Sequence, residues 1–153
     1  MCLLHALLYA HSGRQLSHGT TTTLQHATTD EPLTTALSTQ CDAARLGFDW
    51  PDITGVFDKL KEEIVEFRQA IDTNDPAAIQ HELGDILFSA VNLARFVDVP
   101  PAEALTRATQ RFEARFAAVQ STLEHQGRAI DACTLEELDE LWEEAKGGEQ
   151  AGR

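Results

Sequence analysis

The segment KLKEEIVEFRQAIDTNDPAAIQHELGD, residues 59–85, decides the fold because it predicts two helices joined by one tight turn. The turn centres on Asn74. Asp75 followed by Pro76 is typical of a helix N-cap with proline at the first helical position, so a new helix begins there. The segment therefore predicts an antiparallel helical hairpin.

Four carboxylates recur at matching positions on the two arms of this hairpin. Glu63 and Glu66 share a face of the first helix, and Glu82 and Asp85 share a face of the second. Asn74 is equally distant from Glu66 and Glu82 along the chain, and the same holds for Glu63 and Asp85. Because the rise per residue is equal on both arms, the four side chains are predicted to converge. Such a cluster repels itself unless cations neutralise it.

The surroundings of the acids favour a buried position over a solvated acidic face, which is the alternative interpretation. On the helix of residues 79–97, apolar residues point nearly all round, so we expect neighbours on most sides. A polar stripe interrupts them, formed by Glu82, Asp85, Ser89 and Asn92. Buried carboxylates are costly unless they are paired or bind metal. The preceding helix has a predicted core stripe of Val56, Leu60, Ile64, Phe67 and Ile71, with Glu63 at its edge.

The donor set indicates the kind of cation. Oxygen ligands without cysteine or histidine favour Mg²⁺, with Mn²⁺ as a substitute, over zinc. A di-iron centre is less favoured, because such bundles use Glu-x-x-His motifs. The residues three positions after Glu63 and Glu82 are instead Glu66 and Asp85.

The acidic pairs and several other motifs resemble those of the MazG nucleotide pyrophosphohydrolase family. The shared motifs, in chain order, are GFDWPD at 47–52, Asp58-Lys59, EExxE at 62–66, ELGDILF at 82–88, VNLAR at 91–95 and LWEEAK at 141–146. The resemblance covers roughly residues 32–146 and is greatest to the C-terminal half of two-domain members. It implies an all-α fold of four to five helices, an oligomer, and hydrolysis of nucleoside triphosphates to monophosphates and pyrophosphate.

The resemblance implies metal-binding and catalytic roles for the acidic residues. Glu63, Glu66, Glu82 and Asp85 would hold Mg²⁺, and Glu62 and Glu63 are the candidate catalytic residues. Glu62 is the candidate that orients or deprotonates the attacking water.

Basic residues late in the chain are candidates for contacts with the triphosphate. Arg107, Arg111 and Arg115 recur every four residues on a helix predicted from Pro101 to Gly127. A solvated basic row is the alternative. In MazG-like proteins the positions of Arg111 and Arg115 contact phosphates. Four predicted substrate-binding residues rest on the resemblance, namely Arg111, Arg115, Trp142 and Lys146; Lys59 is added for its place beside Glu63.

The remaining segments predict further helices and one aromatic loop. A first helix is expected from Pro32 to Leu46, and a capping box beginning at Thr134 opens a short last helix. Phe48 and Trp50 lie in the loop between the first two helices, where we interpret them as core anchors in preference to walls of a base pocket.

The composition of the chain limits the kinds of partner that it can bind and indicates how its domains are organised. The chain of 153 residues has a formal net charge of −13, which argues against binding to nucleic acid polymers. Three cysteines without zinc spacing argue against a disulfide framework and fit a cytoplasmic protein. The apolar start is too short to cross a membrane. We predict a flexible extension over residues 1–30, one helical domain over 31–147 and a frayed tail over 148–153.

Several alternatives stay open at this point. A narrower enzyme specific for dUTP, dCTP or phosphoribosyl-ATP would use similar acidic pairs. A helical interaction module with a structural ion is the alternative outside enzymes. The apolar third helix also predicts a homo-oligomer, a dimer or larger, since single-stripe helices leave part of its surface uncovered.

Overall fold

The computed structural model describes residues 31–151, and every regular element among them is helical. The five α-helices are α1 (Glu31–Arg45), α2 (Ile53–Thr73), α3 (Pro76–Phe96), α4 (Pro101–His125) and α5 (Leu135–Ala151), with a 3-10 turn at Ile130–Ala132. The all-α prediction is confirmed, and the predicted helix starts agree to within a residue or two.

The described chain divides into two compact units. The N-terminal unit comprises residues 31–106, and the C-terminal unit comprises residues 107–151. The predicted extension of residues 1–30 lies outside the described residues, as do residues 152 and 153. The predicted domain boundaries stay predictions.

Caps define the α2–α3 hairpin as the sequence predicts. The Asp52 side chain accepts a hydrogen bond from the backbone N–H of Thr54 at 2.7 Å. Asn74 ends α2 in the left-handed conformation, with φ of 54°, which asparagine tolerates better than most residues. The Asp75 side chain then accepts from the backbone N–H of Ala77 at 2.9 Å and opens α3.

The face of α2 that is buried differs from the predicted stripe. Val56, Glu63 and Ala70 are buried, spaced by seven residues. Ile64 and Ile71, which we predicted to be core residues, are 39% and 47% exposed. The prediction was wrong for these two because it followed apolarity alone, whereas the face that becomes buried carries an acid.

The third helix is only partly covered by the residues that the structure describes. It packs against α2 and, less extensively, against α1, and its buried residues are Ser89 and Val91. Leu83, Leu87 and Phe88 remain about half exposed. The expectation that neighbours surround α3 is therefore met on one side only in the N-terminal unit.

The C-terminal unit has an apolar core. Its buried residues, contributed by α4 and α5, are Val119, Leu123, Leu138 and Trp142. The Phe112 ring lies 5.1 Å from Trp142 and 6.0 Å from Phe116, measured between ring centroids. These contacts join the two helices through aromatic packing.

Reciprocal hydrogen bonds between Thr134 and Glu137 mark the start of α5. The backbone N–H of Thr134 donates to Glu137 at 2.8 Å, and the backbone N–H of Glu137 donates to the Thr134 hydroxyl at 3.3 Å. This is the predicted capping box. The backbone stays helical through Ala151. Within the described range, no helix combines the length and apolarity needed to span a membrane.

Candidate functional site

Three of the four predicted carboxylates meet between α2 and α3. Glu63, Glu66 and Glu82 each place an oxygen within 4.8 Å of the other two. Glu63 is 4% exposed, so its charge lies almost entirely away from water. We call Glu63, Glu66 and Glu82 the acidic cluster.

Asp85, the fourth predicted ligand, does not belong to this cluster. Its Oδ2 lies 3.4 Å from Nε2 of His81, one turn earlier on α3. Equal distance from the turn predicted that Asp85 would meet Glu63, but this local contact holds its carboxylate elsewhere. Asp85 still lines the same pocket as Glu63.

Lys59 supplies positive charge at the edge of the cluster. Its Nζ lies 2.8 Å from Glu63 Oε1 and 3.0 Å from Glu62 Oε1. The hydrogen bonds to Glu63 and then Glu62 raise the pKa of Lys59. The buried charge of Glu63 is thus paired, which reduces the penalty of its burial. Glu62 itself is on the exposed side of this pair.

One ammonium group does not neutralise the whole cluster. Burial raises the pKa of the Glu66 carboxyl, and the hydrogen bond with Glu63 and the charge of Glu63 raise it further. A raised carboxyl pKa means that the negative form is disfavoured at this position. The cluster therefore has an excess of negative charge that a cation would relieve.

The donor set fits a hard divalent cation. Carboxylate oxygens are the ligands that Mg²⁺ and Mn²⁺ prefer. Opposite ligands around Mg²⁺ are about 4 Å apart, since each Mg–O distance is about 2.1 Å. The oxygen separations within 4.8 Å are close to this span. Glu63, Glu66 and Glu82 could hold such an ion with small side-chain movements.

A pocket of about 660 Å³ opens beside the cluster within the N-terminal unit. Its polar wall includes Lys59, Glu63, Asp85, Ser89 and Asn92. Ser89 and Asn92 continue the predicted polar stripe of α3 into the pocket. Residues of α1 and the loop between α1 and α2 form the rest, namely Thr39, Gln40, Ala43, Gly47, Phe48, Asp49 and Trp50, together with Phe88 and Arg95 of α3.

The aromatic residues of the loop line this pocket. Phe48 is 85% exposed and Trp50 is 45% exposed, so our interpretation of them as core anchors was wrong. The Trp50 indole lies against Gly55 in the first turn of α2, where an added Cβ would collide with the ring. Glycine at residue 55 therefore lets the indole approach the helix backbone.

An ion pair ties the same loop to α3. Both terminal nitrogens of Arg95 contact the Asp49 carboxylate, with Nη1 2.9 Å from Oδ2. Arg95 Nε also donates to Asn92 Oδ1 at 2.9 Å. The two-point geometry fixes the orientation of both groups. Asp49, which lies between the two aromatic residues, is therefore anchored to α3.

Gln40 is a residue of this site that our sequence reasoning missed. It is 7% exposed, and its Nε2 donates to the backbone oxygen of Phe88 at 2.8 Å, which joins α1 to α3. The signal was its position: Gln40 follows Leu33 by seven residues and precedes Ala44 by four, so it lies on the apolar stripe of α1. A polar residue at a stripe position indicates a buried hydrogen bond.

The other predicted substrate-binding residues belong to the C-terminal unit. Arg111 is exposed. The Arg115 guanidinium lies 5.9 Å from the centre of the Trp142 ring. Trp142 is 2% exposed and packs in the core of this unit. Lys146 Nζ contacts both Glu143 oxygens, at 2.8 and 2.9 Å. Their roles toward substrate stay predictions.

Comparisons with known proteins indicate a family. A family model, the MazG nucleotide pyrophosphohydrolase domain, matches residues 53–119, which include the acidic cluster, Lys59 and Arg111. The chain is similar to the nucleoside triphosphate pyrophosphohydrolase/pyrophosphatase MazG of Thermotoga maritima, with 43% identity over 123 residues, 78% of this chain and 47% of that protein.

Two further relatives extend the comparison. The nucleoside triphosphate pyrophosphohydrolase of Escherichia coli strain K12 is 36% identical over 132 residues, 80% of this chain and 49% of that protein. The uncharacterized protein YabN of Bacillus subtilis is 42% identical over 72 residues, 47% of this chain and 15% of that protein. The chain spans about half the length of the Thermotoga and Escherichia relatives.

Proposed function

The chain belongs to the MazG nucleotide pyrophosphohydrolase family, and from this premise we propose that it hydrolyses nucleoside triphosphates to monophosphates and pyrophosphate. The observation that carries the proposal is the acidic cluster beside a pocket large enough for a nucleotide. Ligand pockets commonly have volumes of about 300–1,000 Å³, and this one is about 660 Å³.

Glu63, Glu66 and Glu82 would hold Mg²⁺, with Mn²⁺ as a substitute, and Asp85 is the fourth candidate ligand. A bound divalent cation supplies charge neutralisation of the phosphates and lowers the pKa of coordinated water. Asp85 would leave its contact with His81 to join the cluster. Support for this comes from the shared pocket that Asp85 and Glu63 line.

The chain's own side chains would then position the reactants. Glu62 is exposed beside the cluster, where its carboxylate would accept a proton from the attacking water, and Glu63 would assist in orienting that water. The water opens the anhydride bond between the α- and β-phosphoryl groups, and pyrophosphate leaves. Lys59, now paired with Glu62 and Glu63, would exchange those partners for phosphate oxygens.

Residues of the C-terminal unit would complete charge balance. Arg111, Arg115 and Lys146 are proposed to bind the triphosphate, and Trp142 is proposed to hold the Arg115 guanidinium by its cation–π contact. The support is the resemblance at these positions, together with the need to offset charge on a triphosphate and its leaving group.

We further propose that the protein is a cytoplasmic homo-oligomer, at least a dimer. Apolar residues that are between a third and a half exposed recur on α2 at Phe57, Ile64 and Ile71, spaced by seven residues, and Leu83 and Leu87 are exposed on α3. Clusters of exposed apolar residues often mark interfaces. Sedimentation velocity at low micromolar concentration tests this, and a folded, active species of 16.8 kDa would contradict it.

The experiment for the activity is product analysis. A panel of ribo- and deoxyribonucleoside triphosphates is incubated with Mg²⁺, with Mn²⁺ or with EDTA, and products are resolved by phosphorus NMR. We expect monophosphate and pyrophosphate in the presence of a divalent ion only. Release of diphosphate and inorganic phosphate, or no turnover with a folded protein, would contradict the proposal. The same panel, with phosphoribosyl-ATP added, separates a broad enzyme from a specialist for dUTP, dCTP or phosphoribosyl-ATP.

A further inference from the structure

The side-chain amide of Gln40 has a defined orientation. The backbone carbonyl of Phe88 can only accept a hydrogen bond, so the nitrogen of the amide must face it, as it does at 2.8 Å. The oxygen of the amide therefore lies on the other side. Among the described residues, Gln40 Oε1 is buried and has no hydrogen-bond partner.

A buried acceptor without a donor is unfavourable, and native structures retain few of them without a reason. Gln40 lines the pocket that also contains Lys59 and Glu63. The orphaned oxygen thus belongs to a residue of the candidate site. A ligand with an N–H group that enters this pocket would supply the missing donor.

The rest of the wall suits a flat, aromatic ligand group. Phe48 and Trp50 line the pocket and expose a large part of their rings. Aromatic side chains stack on bases of any sequence, because every base has a π-face. The Asp49–Arg95 ion pair anchors the loop between the two rings, and the Trp50 indole packs against Gly55.

We propose that this wall is the base-binding part of the site: the nucleobase of a nucleoside triphosphate lies between α1 and the Phe48 to Trp50 loop, and an N–H group on its edge donates to Gln40 Oε1. The inference rests on the proposed function, in which the phosphates of the nucleotide bind at the acidic cluster beside this pocket. It assigns base recognition to Gln40, which lies outside the matched family segment of residues 53–119.

A hydrogen bond of this kind makes an enzyme discriminate between nucleotides that carry the N–H group and analogues that lack it. A site built to bond an N–H group rejects an analogue that lacks it, because the buried acceptor is left unpaired. The wild-type protein should therefore prefer ATP to purine riboside triphosphate, which lacks the amino group, or UTP to N3-methyl-UTP. We expect a preference of about tenfold or more in kcat/KM for at least one of these pairs.

Gln40→Met tests the residue, since methionine has a similar length and no hydrogen-bonding oxygen. We expect the ratio of kcat/KM between the two nucleotides of that pair to fall to near one. The fall should come mainly from a lower kcat/KM for the preferred nucleotide. Ser38→Ala is the matched control, because Ser38 lies on the same helix, is exposed and outside the pocket lining, and its hydroxyl donates to the Thr35 carbonyl at 3.3 Å. The control should keep the wild-type preference.

Two results would overturn the inference. One is a wild-type protein that hydrolyses both members of each pair equally well, a measurement that does not depend on how any variant folds. The other is a folded Gln40→Met variant that keeps the wild-type preference. If no triphosphate is hydrolysed, the proposed function fails instead. Binding of adenosine against purine riboside, and of uridine against N3-methyluridine, followed by protein NMR, then decides the base site separately. Equal binding within both nucleoside pairs would also overturn the inference.

Discussion

The two units of the described chain differ in the polarity of the side chains that they bury. In the N-terminal unit the buried residues are Gln40, Val56, Glu63, Ala70, Ser89 and Val91, so polar side chains make up half of them. In the C-terminal unit the buried residues are Val119, Leu123, Leu138 and Trp142, all apolar. Among the described residues, polar and apolar side chains are thus equally common in the interior of one unit, whereas the fully buried side chains of the other are apolar.

This difference indicates how stability and function are divided. Burying a carboxylate or an amide is unfavourable unless partners satisfy it, and a buried acceptor without a partner occurs at Gln40 in the N-terminal unit and at Asp139 in the C-terminal unit. Burying Trp142 and its aliphatic neighbours is favourable without further conditions. We infer that the C-terminal core supplies stability and that the N-terminal interior is arranged for a ligand. Substitutions in the two units should therefore affect stability and turnover differently.

The largest expected effect separates the two tryptophans of the chain. Trp142→Ala should lower the free energy of unfolding by about 3–5 kcal/mol, the usual cost of removing a large buried aromatic side chain. Trp50→Ala should cost about 1 kcal/mol, because the indole is half exposed. Urea denaturation of both variants measures the two values. Equal losses would contradict the division between units.

The next effect concerns the acidic cluster. Glu66→Gln should lower kcat/KM about 100-fold or more, since even residues that support metal ligands commonly contribute 10- to 100-fold. Its melting temperature in EDTA should stay the same or rise, because Glu66 is an acid with a raised pKa. The assay is turnover with Mg²⁺ combined with thermal melting.

Asp72→Asn is the control for that experiment, because Asp72 is an exposed acid on the same helix. It should change neither turnover nor melting temperature appreciably. A Glu66→Gln variant with wild-type turnover would show that the cluster does not hold a catalytic ion.

A smaller effect is expected at the start of α5. Thr134→Ala removes the hydroxyl that accepts from the Glu137 N–H, and loss of an N-cap costs about 1 kcal/mol. Thr134→Ser keeps the hydroxyl and should restore most of the loss. The free energy of unfolding of the two variants is compared by urea denaturation, and an equal loss in both would exclude the cap as the cause.

The smallest effect is the response to acid. The backbone N–H of Thr134, followed by Arg128, lowers the pKa of Glu137 below 4.5. The hydrogen bond from Arg95 lowers the pKa of Asp49 below 3.8. A carboxyl pKa that is lower in the folded protein contributes stability above its unfolded value and loses it as pH falls.

The melting temperature should therefore decrease below about pH 4.5, where Glu137 begins to lose its contribution, and further below 3.8, where Asp49 follows. Glu137→Gln should flatten the first part of this decrease and Asp49→Asn the second. Melting curves between pH 3 and 7 measure both. Identical profiles in wild type and variants would show that neither contact contributes.

The sequence by itself determined the elements and the general place of the acids. Cap residues act locally, so Asp52, Asp75 and the Thr134 capping box located helix starts without knowledge of the fold. The spacing about Asn74 brought Glu66 and Glu82 together because both arms of a hairpin rise equally. The helical content followed from the same local signals.

Only the tertiary structure decided which faces are buried and which side chains meet at the pocket. Ile64 is exposed while Glu63 beside it is buried, because burial depends on where the neighbouring helices pack and not on the apolarity of one helix. The exposure of Phe48 and the separate position of Asp85 likewise depend on contacts between elements or on rotamers. The contact of Gln40 with Phe88 joins residues 48 positions apart. The position of Gln40 on the apolar stripe of α1 indicates that it is buried, but nothing in a single sequence indicates Phe88 as its partner.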